Sequence, residues 1–123
     1  MKTNAGRFFE DYSVGQVLKH AVPRTLSGGE RALYHALYPG RHGLGSSDYF
    51  ARACGWQAGP LEDLIACHTV FGKTVPDVWL NAVANLGYAE GRFLATVWPG
   101  DTLRSESQVI GLKQNSNGTS GVV

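Results

Sequence analysis

The sequence is poor in charge and in cysteine. Only 17% of its 123 residues are charged and the net formal charge is +1, whereas an average soluble domain carries roughly 25% charged residues. Lysine and arginine form no run that would predict nucleic-acid binding. An apolar content of 43% with 16 glycines excludes a disordered tail, a coiled coil and a plain helical bundle. The low charge indicates that part of the surface packs against another subunit or domain.

Long hydrophobic runs are also missing. No stretch approaches the ~18 apolar residues of a membrane span, and the first residues contain no apolar signal core. We therefore expect a cytoplasmic protein with no membrane partner. The two cysteines, Cys54 and Cys67, cannot form a dense disulfide framework, and no closely spaced Cys and His residues predict a metal site. We expect neither a metal nor another cofactor.

The first third of the chain indicates one strand and one helix. Residues 16–26 are rich in β-branched residues, and Pro23 favours an irregular or edge strand. The string Ser27-Gly28-Gly29-Glu30 has the pattern of a capping box. It predicts a helix from about Gly28 to Leu37.

Two further helices are predicted beyond a glycine-rich loop, 39–45. Ser46 or Ser47 caps a short helix that reaches Cys54. A longer helix runs from Pro60 to Pro76, with its core face formed by Leu61, Leu64, Ile65, His68, Gly72 and Val75. Because its other face is also largely apolar, we expect this helix to be wrapped by other elements.

The rest of the chain has the pattern of antiparallel strands. Residues 82–97 and 102–113 predict two long strands joined by a Pro-Gly turn, and Asn117-Gly118 indicates a further hairpin. Only five residues, 119–123, follow that turn. We therefore expect a single hot-dog domain over residues 1–123, an α+β fold whose sheet curls around one long helix. The unmatched hairpin further predicts that it is cut within its last strand from a longer double hot-dog chain.

Four histidines are candidates for acid/base work because the histidine pKa lies near neutrality. His20 and His35 are expected at the surface, and His68 in the core. His42 lies in the glycine-rich loop, six residues before Asp48. A loop histidine with a nearby carboxylate can hold and deprotonate a water, so His42 and Asp48 are predicted as the catalytic pair.

Several strings resemble one enzyme family. Residues 8–16, Phe-Phe-Glu-Asp-Tyr-Ser-Val-Gly-Gln, resemble the opening of the MaoC-like dehydratases. The amino-terminal half of a member of that family is similar to three further stretches, 68–77, 81–88 and 99–103. The most specific string in them is Asn-Ala-Val-Ala-Asn-Leu-Gly. The resemblance covers nearly the whole chain.

This resemblance implies an (R)-type enoyl-CoA hydratase that adds water reversibly across the double bond of an acyl-CoA thioester. In the family an Asp and a His polarise the water, within an Asp-x-Asn-Pro-x-His pattern. Residues 38–48 lack that pattern. The chain would then be the half that shapes the acyl-CoA pocket, beside a second hot-dog domain or a homodimer partner. Arg41, Ser46 and Ser47 are the predicted substrate-binding residues, suited to an extra carboxylate on the acyl group.

Two other functions remain open. Hot-dog proteins also include acyl-CoA thioesterases, which generally carry a water-activating Glu or Asp on the long helix. Glu62 and Asp63 lie there, although favourable contact with the helix dipole explains them without catalysis. The third reading is a binding or assembly module without activity of its own.

Overall fold

The computed structural model describes residues 5–40 and 43–123, and the chain divides into two compact units. The first unit contains Met1–Val22, Phe71–Tyr88 and Arg104–Val123. The second contains Pro23–Val70 and Ala89–Leu103. Within the described ranges, none of the helices has the length and apolar character needed to span a membrane.

Helix α1 spans Gly28–Leu37, as predicted. The Ser27 hydroxyl accepts a hydrogen bond from the Gly29 N–H at 3.1 Å, and the Glu30 carboxylate accepts one from the Ser27 N–H at 2.9 Å. Hydrogen bonds from the Ser27 side chain and backbone, with smaller help from Arg24, lower the pKa of Glu30 from 4.5 to about 2. The capping box is therefore confirmed.

Helix α2 spans Asp48–Ala53 and also agrees with the prediction. Ser47 is its N-cap, and the Ser47 hydroxyl accepts a hydrogen bond from the Phe50 N–H at 3.2 Å. Gly55 follows the helix with φ of +86°, a left-handed conformation that glycine adopts without a steric cost.

Helix α3 spans Asp63–Thr74 and differs from the predicted long helix at both ends. It begins three residues after Pro60, and beyond Thr74 the chain continues into a π-helical turn, Val75–Trp79. The predicted core face is wrong in part, because Ala66 is buried beside Ile65 whereas His68 is exposed. Leu61 lies before the helix and Val75 lies in the wider π-helical turn, so neither keeps its predicted place on a face of α3.

The described residues contain six short strands, which form three antiparallel pairs. In the first unit β1 (Val17–Lys19) pairs with β4 (Glu106–Gln108), and β5 (Lys113–Gln114) pairs with β6 (Gly121–Val122). In the second unit β2 (Arg24–Thr25) pairs with β3 (Thr102–Leu103). The predicted strand over residues 16–26 is thus divided in two, and Val22, with φ of +60°, lies in the break.

The prediction of a long strand over residues 82–97 is wrong for this structure. The segment forms no strand, and side chains such as Val83 and Leu94 are 98% and 90% exposed. A strand needs a neighbour for its N–H and C=O groups. Residues 83–96 make no backbone–backbone hydrogen bond within the described part of the chain. The predicted strand 102–113 is likewise reduced to β3, β4 and the first residue of β5.

Each unit has its own apolar cluster. In the first unit Tyr12, Leu18 and Val109 are buried together, with Val78 and Leu112 packed against them. In the second unit the cluster consists of Leu26, Leu61, Ile65 and the partly buried Tyr34, Val97 and Leu103. The second cluster joins α1, α3 and β3.

Candidate functional site

In the second unit Asp48 connects three chain segments. Its Oδ1 atom accepts a hydrogen bond from the Gly59 N–H at 2.9 Å and one from Arg31 Nη1 at 2.9 Å. The hydrogen bond from Gly59, followed by that from Arg31, lowers the pKa of Asp48 below its usual value. Arg31 also donates to the Gly59 carbonyl oxygen at 2.5 Å. The carboxylate is therefore ionised near neutral pH and holds α1, α2 and residue 59 together.

Gly59 fits this network because it has no side chain. A Cβ atom there would lie 2.6 Å from Arg31 Nη1, 3.0 Å from the Leu44 carbonyl oxygen and 3.1 Å from Asp48 Oδ1. Two of these neighbours are partners in the ion pair, and the third is backbone. Any larger residue would have to push the Arg31–Asp48 pair apart.

Replacing Gly59 by alanine is expected to lower the free energy of unfolding by about 2 kcal/mol, a typical cost of overpacking. Urea unfolding measures the change. Gly72 is the matched control because it lies within α3 with nothing within 4 Å of a Cβ. Gly72→Ala should stabilise the helix by about 0.5–1 kcal/mol. Equal effects of the two substitutions would contradict the steric argument at residue 59.

A second polar pair, His35 and Glu62, lies in the same unit. The imidazole Nε2 is 3.6 Å from Glu62 Oε1, and the two side chains are 13% and 27% exposed. Both ring nitrogens of His35 are buried and have no hydrogen-bond partner among residues 5–40 and 43–123. The prediction of a surface His35 is therefore wrong. Its neighbour Tyr34 packs against the apolar cluster, and this contact turns that side of α1 inward.

The sequence also predicts Glu62 on the long helix. Because α3 begins at Asp63, Glu62 lies just outside the helix. Gly45 approaches the pair from the glycine-rich loop, and a Cβ there would lie 2.6 Å from Glu62 Oε1 and 3.2 Å from His35 Nε2. The structure thus gathers a histidine, a carboxylate and a glycine that are distant in sequence.

The residues predicted to form the site lie in different surroundings in the structure. Asp48 belongs to the Arg31 network, Ser47 caps α2, and Ser46 is exposed beside it. Arg41 and His42 lie outside the described residues, so their predicted roles stay predictions.

A buried histidine in the first unit was also missed. The His20 side chain is fully buried, with Nδ1 2.8 Å from Asp77 Oδ2 and Nε2 2.8 Å from Ser107 Oγ. The prediction of a surface His20 is therefore wrong. Residues two apart on a strand face the same side, so His20 shares the inward face of the buried Leu18. The alternation of buried and exposed residues along this strand could have predicted that His20 is buried.

Asp77 gathers further partners around this histidine. Arg7 Nη1 donates to Asp77 Oδ1 at 3.0 Å and to the Asp77 carbonyl oxygen at 3.1 Å. The Tyr12 hydroxyl donates to the same carbonyl oxygen at 3.2 Å. The hydrogen bond from His20, more than that from Arg7, lowers the pKa of Asp77. Both carboxylate oxygens are engaged, which indicates a structural network that ties β1 and β4 to the π-helical turn.

The first unit also contains an open groove of about 720 Å³. Arg7, Phe8 and Trp79 line one part of it, and residues 119–123 line another. Small-molecule sites typically measure about 300–1,000 Å³ and combine apolar walls with few polar groups. The volume of the groove therefore falls within the range of ligand sites.

Solved structures identify the class of fold. A putative MaoC domain protein dehydratase from Chloroflexus aurantiacus is 55% identical, with a TM-score of 0.92 over 98% of this chain and 34% of that chain. A conserved hypothetical protein from Mycobacterium tuberculosis with a double hot-dog fold is 32% identical, with a TM-score of 0.77 over 90% of this chain and 34% of its own. The predicted α+β hot-dog fold is confirmed.

Curated relatives make the resemblance more specific. Mesaconyl-CoA hydratase of Cereibacter sphaeroides is 76% identical over all 123 residues, and beta-methylmalyl-CoA dehydratase of Chloroflexus aurantiacus is 57% identical over 122 residues, 99% of this chain. The chain spans 36% and 35% of their lengths, about a third of each. No family model matches the sequence. The predicted resemblance to the MaoC-like dehydratases is confirmed.

Proposed function

We propose that this chain is part of a MaoC-like enoyl-CoA hydratase, a hydro-lyase that adds water reversibly across the double bond of mesaconyl-CoA. The observation that carries the proposal is the 76% identity to mesaconyl-CoA hydratase over all 123 residues. Because the chain spans 36% of that relative, we further propose that a second hot-dog domain or a homodimer partner completes the site. We also propose a cytoplasmic location.

The reaction requires three functions from the protein. A base takes a proton from water, an acid returns a proton to the α-carbon, and hydrogen-bond donors stabilise the negative charge on the thioester oxygen. The mesaconyl group also brings its own carboxylate, which Arg41 and the hydroxyls of Ser46 and Ser47 are proposed to bind. The Ser47 oxygen accepts from the Phe50 N–H, so its O–H remains able to donate.

The acid/base pair His42 and Asp48 stays a proposal from the sequence. Asp48 Oδ1 accepts two hydrogen bonds, and the low pKa of this carboxyl makes it a weak proton acceptor. In such a pair Asp48 would orient His42 through its other oxygen, and His42 would take the proton from water.

Two readouts on the full-length protein distinguish the main candidates. With mesaconyl-CoA, a hydratase lowers the enoyl absorbance without releasing thiol, whereas a thioesterase releases free CoA thiol. We expect the first result. Release of thiol at the rate of substrate loss would contradict the hydratase and favour the thioesterase.

Arg41→Ala tests the proposed carboxylate contact. Loss of a hydrogen bond to a charged group costs about 1.5–3 kcal/mol, so KM for mesaconyl-CoA should rise roughly 10- to 100-fold. A monocarboxylic enoyl-CoA provides the comparison and should be little affected. An unchanged KM for mesaconyl-CoA would remove Arg41 from the binding site. If the whole protein is active while variants at every proposed catalytic residue of this chain keep full turnover, the chain only shapes the pocket.

A further inference from the structure

We propose that Ser107 is a reactive nucleophile that takes the acyl group of a small ester, with His20 as its base and Asp77 positioning the histidine. All three side chains belong to the first unit, and their contacts do not depend on the proposed hydratase function. Ser107 Oγ lies 2.8 Å from His20 Nε2, and His20 Nδ1 lies 2.8 Å from Asp77 Oδ2. A serine hydroxyl is activated by such a base when a third group orients the base.

The charge on Asp77 decides where the protons of these side chains lie. The hydrogen bond from His20, followed by that from Arg7, lowers the pKa of Asp77, so the carboxylate is ionised near neutral pH and can only accept hydrogen bonds. The proton of the neutral imidazole is therefore on Nδ1, facing Asp77. Nε2 is then the acceptor nitrogen, and the Ser107 hydroxyl donates to it. The serine proton already points at the base that would remove it.

The histidine is held in this orientation from the side of Asp77. Arg7 Nη1 donates to Asp77 Oδ1 at 3.0 Å, while Oδ2 accepts from His20. The Tyr12 hydroxyl donates to the Asp77 carbonyl oxygen at 3.2 Å. The His20 side chain has no solvent exposure, so bulk water does not compete for its ring nitrogens. Fixed support of this kind keeps a reactive group within about 0.5 Å of its working geometry.

Ser107 itself borders a partly open cavity of about 200 Å³. It is the half-buried central residue of β4, between the exposed Glu106 and Gln108. The cavity volume lies below the roughly 300–1,000 Å³ that is typical of sites for larger ligands. The neighbouring wall is mainly apolar and includes Tyr12, Leu18, Val78 and Val109. The site therefore fits an ester with a short apolar acyl group.

Transfer of the acyl group balances atoms and charges. Ser107 Oγ forms a bond to the carbonyl carbon of the ester while its proton passes to His20 Nε2. The bond from that carbon to the leaving oxygen then breaks, and the electron pair stays on the leaving oxygen. His20 returns the proton to this oxygen. The products are acyl-Ser107 and a free alcohol, and the ester is the co-reactant.

The experiment treats the full-length protein with p-nitrophenyl acetate and maps the acetylated peptides by mass spectrometry. We expect acetyl-Ser107 together with an equal amount of p-nitrophenol. His20→Gln should slow this acetylation at least about 100-fold and remove its rise with pH around neutrality, because the histidine base is lost. Asp77→Asn should also slow it, because asparagine lacks the charge that keeps the imidazole proton on Nδ1. A structural role alone would not change the pH profile.

Ser105→Ala is the matched control. Ser105 is buried two residues before Ser107, and its Oγ atom has no hydrogen-bond partner in the described part of the chain. Removing this hydroxyl should leave the acetylation of Ser107 at the wild-type rate. Equal losses in Ser105→Ala and His20→Gln would contradict the assigned roles.

A fluorophosphonate provides a second measurement that needs no variant. It should form a P–O bond to Ser107 of the folded wild-type protein and release fluoride, whereas protein unfolded in urea should not react. Absence of any modification at Ser107 overturns the proposal, as does modification confined to other side chains such as the exposed Cys54 and Cys67. A wild-type acetylation rate in folded His20→Gln overturns it as well. Failure to hydrate mesaconyl-CoA would instead refute only the proposed hydratase function.

Discussion

Replacing Asp77 by alanine is expected to lower the free energy of unfolding by about 3 kcal/mol, the lower end of the cost of breaking a buried ion pair. The substitution removes the acceptor at 2.8 Å from the fully buried His20 ring and the acceptor at 3.0 Å from Arg7. Among the described residues, the His20 ring would then keep only Ser107 as a hydrogen-bond partner. The lower end applies because 19% of the Asp77 side chain is exposed.

The same carboxylate should make stability depend on acidic pH. The hydrogen bond from His20 holds the folded-state pKa of Asp77 below the ordinary value of 3.8. A lowered folded pKa stabilises the protein above the unfolded pKa, and this contribution is lost as pH falls through the folded pKa. Asp77→Asn should therefore remove part of the stability that the wild-type protein loses below about pH 4.

Urea unfolding at neutral pH and at pH 3 measures both effects. Glu106→Gln is the matched control, because it removes one carboxylate from an exposed position of β4. It should change stability by no more than about 0.5 kcal/mol. If Asp77→Ala were as mild as this control, the network around His20 would contribute little to folding.

The local signals in the sequence predicted α1 and α2 well. The capping box at Ser27 and Glu30 marks the start of α1 because its hydrogen bonds join residues three apart. Strand formation depends on partners elsewhere in the chain. The apolar pattern of residues 82–97 is typical of a strand, but pattern alone cannot supply the neighbour that strand pairing requires.

The polar pairs could not be predicted in the same way. His20 and Asp77 are 57 residues apart, and His35 and Glu62 come from two different elements. Alternation along β1 could have placed His20 on the buried face beside Leu18. No spacing rule could have joined it to Asp77, because that contact arises from packing of the π-helical turn. The family resemblance predicted the fold, whereas the contacts between these polar residues became visible only in the structure.

Leu26→Ala is expected to lower the free energy of unfolding by about 3 kcal/mol, within the range for large-to-small core substitutions. Leu26 is fully buried, and Leu61, Ile65 and Tyr34 pack around it. Alanine would leave a cavity between α1 and the start of α3. Urea unfolding gives the cost, and Leu33→Ala is the control because Leu33 is 63% exposed on α1. The control should change stability by no more than about 0.5 kcal/mol. If Leu26→Ala were no more destabilising than Leu33→Ala, the apolar cluster around Leu26 would contribute little to the stability of the second unit.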